Sequence, residues 1–368
     1  MGGATQPPLT DCAVVQQILL GSTLLQSTQI GIARAGDGFA LTSMATIQSG
    51  LSASFAYAPD AGTIGPVTTG QSSWGRAATL GLAGRAQPAD QLLLFTLSGG
   101  AFPMMQLSTA VLDAGATTFG AAQPLFSTAF IDQNGMLATR VAFDGLHSLI
   151  AAGSPVVGQP VAGLVGADGR LIGQAQTIAT TASEFLWSGL QAIPTTHGGA
   201  VSLMDQLDGE PRWRLVELDG SGAVALDATM PLADGLGTGA VPRVLAPSPR
   251  GFAAVFQDPN GGVRKLVELD RTGAGSGPAI TRAITLPSDG YVMALGTVGT
   301  SFLLAFNPPD MATLALGRVQ ADGTVHNVNV VLQDVQSPPG WIAAEGDGLT
   351  FSYRTSGGLA IVRVGCPP

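Results

Sequence analysis

The phrase LVELDGSG begins at Leu215 and returns as LVELDRTG at Leu266. A weaker copy, LGRVQADG, starts at Leu316. Each is a short apolar run ending in an Asp-bearing turn, which reads as a strand entering a hairpin. The turn aspartates are Asp60, Asp113, Asp168, Asp219, Asp270 and Asp322, at successive spacings of 53, 55, 51, 51 and 52 residues. A unit of about 50 residues cannot bury both faces of its own sheet, but it can do so between two copies of itself.

The grammar of one unit is clearest around residues 244–286. VLAP at Val244 is strand A, GFAAVFQD from Gly251 is strand B, KLVELD from Lys265 is strand C and AITRAITL from Ala279 is strand D. The turns between them are DPNGG from Asp258 and RTG after Asp270. The B–C pair recurs six more times: GFALTSM with SFAYAPDAG, QLLLFTL with QLSTAVLDAG, GLHSLIAAG with VAGLVGADG, GAVSLMD with WRLVELDGSG, SFLLAFN with LALGRVQADG, and GLTFSYR with LAIVRVG. Apolar runs of five to eight residues bounded by Gly, Pro, Asn and Asp are strands rather than helices. The expectation is an all-β, seven-bladed β-propeller of four-stranded antiparallel blades. SEFLWSGLQAI from Ser183 has helical spacing, but the repeat assigns it to a D-to-A crossing. The stretch from Ala116 to Val141 is longer than one D and one A strand require, so an extended loop or extra hairpin is expected near Ile131.

Seven B–C hairpins accompany only six turn aspartates. The last unit stops after its C strand at Gly365, while CAVVQQILL from Cys12 is a strand without a unit. Pairing residues 11–20 with residues 359–365 supplies the missing D strand and removes an exposed sheet edge. On this reading residues 1–10 are a flexible leader and 11–368 one propeller domain. The only cysteines, Cys12 and Cys366, then meet where the other units have their C–D turn, so a disulfide is expected there. Such a bond points to an oxidising compartment, hence an extracellular, periplasmic or cell-surface location. The start, MGGATQPPLTDC, lacks the charged and apolar regions of a signal peptide, so an exported form would already have lost one.

Composition narrows the partners. Net charge is −9, and the basic residues are almost all Arg, with Lys265 the one lysine and no basic cluster. Nucleic acid and anionic membrane surfaces are therefore poor partners. No apolar run approaches the length that spans a bilayer. A monomer with a protein or glycan ligand is expected.

The residues able to carry chemistry do not converge. His147, His197 and His326 fall on different units and strands, so no shared metal site is expected. Each turn offers a single carboxylate beside Gly, which suits an Asp bonding its own backbone better than a calcium loop. No nucleophile elbow or phosphate-binding Gly loop is present in its required context. Asp37, Asp90, Glu184, Asp205, Asp289 and Glu345 could line one mouth of a ring, as paired carboxylates for glycoside hydrolysis would, yet nothing selects two of them. Trp74, Trp187 and Trp341 fall near A strands or the crossings leading to them, where an aromatic could stack on a sugar or peptide; packing between blades is the plainer role.

GFAAVFQD followed by LVELDRTG resembles the degenerate propeller repeats of exported bacterial proteins, including lipoproteins of myxobacteria and their relatives. The Gly-His and Trp-Asp pairs of WD repeats, the kelch double Gly and the sialidase Asp box are missing. The resemblance implies an exported propeller but brings no catalytic residue. The expected function is a secreted or surface-exposed binding or scaffold protein, without cofactor, that uses a channel mouth or loop face; the alternative is a glycan-directed hydrolase or lyase with an acidic site there.

Overall fold

The computed structural model describes residues 12–20, 29–35, 38–47, 50–58, 68–72, 78–84, 91–99, 104–113, 121–129, 138–143, 147–153, 160–178, 190–196, 198–207, 210–232, 236, 240–258, 263–271, 279–286, 290–307, 312–336, 341–345 and 348–366. All its regular structure among these residues is β.

The chain opens with β1 (Ala13–Leu20). Four strands then pair in sequence order: β2 (Gln29–Ala35), β3 (Gly38–Ile47), β4 (Gly50–Ala58) and β5 (Thr68–Ser72). The same order recurs in β6 (Ala78–Gly84), β7 (Gln91–Gly99), β8 (Met104–Asp113) and β9 (Gln123–Ala129). It recurs again in β10 (Ala138–Phe143), β11 (Ser148–Gly153), β12 (Val161–Val165) and β13 (Leu171–Thr177). The fourth sheet holds β14 (Gln191–Thr195), β15 (Gly198–Leu207), β16 (Glu210–Leu218) and β17 (Val224–Pro231). The fifth holds β18 (Val241–Ser248), β19 (Gly251–Gln257), β20 (Arg264–Asp270) and β21 (Ala279–Thr285). The sixth holds β22 (Tyr291–Val298), β23 (Ser301–Asn307), β24 (Leu314–Val319) and β25 (Val325–Leu332). The last comprises β26 (Trp341–Glu345), β27 (Gly348–Thr355) and β28 (Gly358–Gly365), with β1 as its fourth strand.

Two compact units result. One gathers β1 with β22–β28, the other β2–β21. In both, burial follows strand order within a sheet. GFAAVFQ of β19 is buried on both faces except at its first residue, whereas AITRAIT of β21 alternates between exposed and half-buried. A continuous apolar run suits a middle strand covered on both sides, and an alternating one suits an outer strand with one wet face. Between the fourth and fifth sheets, Met204, Trp213 and Leu215 pack on Phe252, Ala254 and Phe256. Between the sixth and last sheets, Leu303, Ala305 and Leu316 pack on Leu349, Phe351 and Tyr353.

β1 runs antiparallel to β28, from Ala13 opposite Gly365 to Leu20 opposite Leu359, with the register shifting at Val15. Cys12 and Cys366 flank this pair and are disulfide-bonded, Cα to Cα 4.1 Å, both buried. The chain's two termini are thus joined twice, by a backbone ladder and by a covalent bond. The disulfide fits an oxidising environment.

Of the long stretch from Ala116 to Val141, β9 and the start of β10 are described; Ile131 lies outside the described residues, as does Ser183 with most of the run that follows it. Among the described residues no helix is long and apolar enough to cross a membrane.

Candidate functional site

Half of the carboxylates singled out in the sequence are assigned to C–D turns, and three of these turns share one geometry. At 166–170, 219–223 and 320–324 the first residue's N–H donates to the carbonyl of the fifth, and the fourth residue's N–H donates back to the carbonyl of the first. The fourth residue is Gly169, Gly222 or Gly323, with φ of 81°, 78° and 95°. A three-residue hairpin loop closing through a left-handed glycine has this pattern. The aspartate occupies two different places in it. Asp219 is the first residue and accepts from the Ser221 N–H (2.8 Å), the Ser221 hydroxyl (2.6 Å) and the Ala223 N–H (3.1 Å). Asp168 and Asp322 are third residues, accepting from Arg170 N–H (3.0 Å) and Thr324 N–H (2.8 Å) respectively. The uniform spacing of aspartates in the sequence therefore mixes two positions two residues apart; the turn itself, not the acid, keeps the period.

These carboxylates organise their own turns. The Ser221 hydroxyl, followed by the Ser221 N–H, holds the Asp219 carboxyl below its ordinary range, and the Thr324 N–H does the same for Asp322. A folded-state pKa below the unfolded one adds stability that is present above the unfolded value and is lost as pH falls through the folded one. The expected result is that Asp219→Ala with Asp322→Ala flattens the acid limb of melting temperature against pH below about pH 4 and leaves the slope near neutrality unchanged.

The turns also meet the preceding sheet of the β2–β21 unit. The Thr109 hydroxyl on β8 donates to the Gly169 carbonyl at 2.6 Å. The Gln176 amide on β13 donates to the Gly222 carbonyl at 3.3 Å. A Cβ on Gly222 would overlap the Ile172 carbonyl, so the turn and β13 approach closely enough to demand glycine. Arg271, in the next turn, reaches Glu217 on β16 at 2.9 Å. Each clasp uses different chemistry to tie a C–D turn to the sheet before it.

Glu217 is 2% exposed, whereas its Arg271 partner is 38% exposed. Arg271→Ala strands a buried carboxylate, and a cost of about 1–3 kcal/mol is expected, below that of a fully buried pair because Arg271 is partly solvated. Adding Glu217→Gln to that variant should recover part of the loss, as read from urea midpoints.

A second ion network lies across the fourth sheet. Arg214 on β16 grips Asp227 on β17 with two bonds, 3.0 and 2.9 Å, and Asp205 on β15 with one of 3.1 Å. Asp227 is the main cause that raises the Arg214 pKa. Asp205 is thus engaged with an arginine on the next strand. On the neighbouring sheet Arg282 and Glu268 pair at 3.5 Å. In the β1/β22–β28 unit, Asp334 adopts φ 59° and accepts from Ser356 N–H (2.9 Å), the Ser356 hydroxyl (2.6 Å) and the Gln336 amide (3.0 Å). This carboxylate ties the segment after β25 to the β27–β28 turn, and its bonds accompany a backbone conformation that a non-glycine residue adopts at a cost.

The other sequence candidates are placed as follows. Trp341 opens β26 opposite Ser352, with its side chain outside the described residues; Trp74 and Trp187 lie outside them entirely. Asp37, Asp90, Glu184, Asp289 and His197 are also outside, as is the side chain of Glu345 at the end of β26. His147 stands just before β11 rather than within a strand, half-buried. His326 is exposed on β25, opposite Arg318. Among the described residues no three His, Cys, Asp or Glu side chains gather as a metal would require. Trp213, which the sequence left without a role, is completely buried and meets Phe256 edge-on, ring centroids 5.1 Å apart.

No protein-family model matches the chain, and no curated protein does. Solved structures do. A protein of unknown function from Dyadobacter fermentans matches with TM-score 0.53 at 9% identity, over 98% of this chain and all of its own. A prolyl endopeptidase matches with TM-score 0.51 at 13% identity, over 96% of this chain and 47% of its own, so this chain spans about half that enzyme's length. A β-propeller domain from Myceliophteria thermophila matches at TM-score 0.48 and 11% identity, over 97% of this chain and 100% of that one. Identities this low speak to fold alone. Among the described residues the chain is all-β and built of four-stranded antiparallel sheets.

Proposed function

We propose that the protein is a seven-bladed β-propeller of the exported bacterial, lipoprotein-like type, closed by β1, which serves as a binding or scaffold module rather than an enzyme. The observation that carries this reading is how the described carboxylates are used. Asp219, Asp322 and Asp168 serve their own turns, while Asp205, Glu217 and Glu268 are held by arginines between strands or sheets. These acids work as structural parts, and a rigid frame that presents loops is what a binding module needs. The disulfide supports a location outside the cytoplasm, at the cell surface, in the periplasm or beyond. The ligand class is a glycan or a protein loop stacked on aromatic side chains, with Trp74, Trp187 and Trp341 as the candidate platforms.

The test is a glycan and peptide array followed by titration of any hit against intrinsic tryptophan fluorescence. Binding should weaken in Trp74→Ala, Trp187→Ala or Trp341→Ala at unchanged melting temperature, and mass spectrometry should recover the ligand intact. Recovery of a cleaved glycan would replace this reading with that of a hydrolase or lyase.

A further inference from the structure

β1 reaches its sheet from the opposite end of the sequence, and few of its side chains hold it there. Of residues 13–19, only Ile18 is buried, at 2% exposure; Val15 and Leu19 stand 57% and 64% exposed. Its partner β28 is the reverse, burying Leu359, Ala360, Ile361, Val362 and Val364. From β1, β28 receives a backbone ladder, a buried isoleucine and one half of a disulfide. The ladder is broken once, at Val15. A backbone ladder is indifferent to which molecule supplies the strand, and a second copy of the chain offers the same Ile18 and Cys12 in the same order.

We propose that the Cys12–Cys366 bond is a latch, and that once it is reduced the protein exchanges β1 with a second copy of itself, forming a dimer that reoxidation locks through Cys12–Cys366 bonds between chains. In the opening step a dithiol supplies two electrons and two protons. The S–S bond breaks, Cys12 and Cys366 become thiols, and the dithiol closes to its own cyclic disulfide. In the locking step the Cys366 thiolate of one copy attacks oxidised glutathione and releases one glutathione thiol. The Cys12 thiolate of the other copy then displaces the second glutathione, leaving the interchain disulfide. In the oxidised single chain the same bond keeps β1 in its own sheet, so exchange is confined to reducing conditions.

The experiment mixes nitrogen-15-labelled and unlabelled protein, reduces the mixture with dithiothreitol, reoxidises it with oxidised glutathione, and maps disulfide-linked peptides by mass spectrometry. A Cys12 peptide of one label joined to a Cys366 peptide of the other is the expected product, absent from a mixture never reduced. Finding only same-label pairs, or mixed-label Cys12–Cys12 pairs in equal abundance, overturns the proposal. Hydrogen exchange on the reduced protein distinguishes release of a strand from unfolding. In reduced protein kept too dilute to dimerise, the β28 amides that face β1 should exchange roughly tenfold faster or more while β23, β24 and β27 keep their protection. Unchanged β28 amides, or a loss of protection in all these strands together, would equally overturn it.

Discussion

A chain carrying Cys12→Ala with Cys366→Ala is expected to melt well below the parent under oxidising conditions. The two cysteines are 354 residues apart in sequence, so their bond closes a very long loop. In the loop-entropy account such a crosslink contributes more than about 4 kcal/mol by restricting the unfolded chain, less whatever strain the folded state carries. For a body of this size that corresponds to a fall on the order of 5–10 °C. Alanine is the better replacement, because Cys12 and Cys366 are 4% and 3% exposed and a serine hydroxyl would be buried without an assured partner. The parent reduced after brief unfolding should melt with the alanine variant. The loss has a specific structural address, since β1 then loses its covalent tie to β28 and keeps its ladder, with Ile18 its one buried side chain among residues 13–19. Equal melting temperatures for parent and variant would mean that the ladder alone holds the termini together and that the bond adds nothing.

The repeat made the strands legible because it is written in backbone terms. GFAAVFQ is apolar without a break from Phe252 to Phe256, and such a run has to be a middle strand; the structure buries it on both faces and buries Leu266, Val267 and Leu269 of KLVELD in the strand beside it. The cysteines were legible for the same reason, since a unit that lacks its outer strand and a strand that lacks its unit define one another. The place of the aspartate within the turn was not. Asp168 and Asp219 both precede glycine, and nothing local shows that one ends its loop's third position and the other begins the first. The hydrogen bonds decide it, through the left-handed Gly169 and Gly222. The clasps between sheets were beyond sequence reasoning altogether. Thr109, Gln176 and Glu217 do corresponding work with a hydroxyl, an amide and a carboxylate. A search for recurring residue types passes over them because the residue type does not recur and its strand is not the same throughout; what recurs is the contact of a turn with the sheet before it. The tryptophan platform stays a reading of the sequence, as Trp74 and Trp187 fall outside the described residues.

Trp213→Ala should be the most damaging single substitution in the core between the fourth and fifth sheets, and Trp213→Phe should be nearly harmless. The indole is fully buried, lies edge-on to Phe256, and is surrounded by Met204, Leu215 and Met230. Removing it leaves a cavity that middle strands pinned on both sides cannot collapse to fill, and about 3–5 kcal/mol is the expected cost. Phenylalanine keeps the ring and most of the volume, so the residual void costs on the order of 1 kcal/mol. Against that stands the indole Nε1, a buried donor with no acceptor within hydrogen-bonding reach among the described residues. Carrying such a group costs roughly 1–3 kcal/mol, and phenylalanine removes it. The two contributions oppose each other and are similar in size, so the urea midpoint of Trp213→Phe should lie close to that of the parent, with the m-value unchanged. A loss in Trp213→Phe approaching that of the alanine variant would show that the indole N–H is bonded in solution, and that this core is polar at its centre rather than purely apolar.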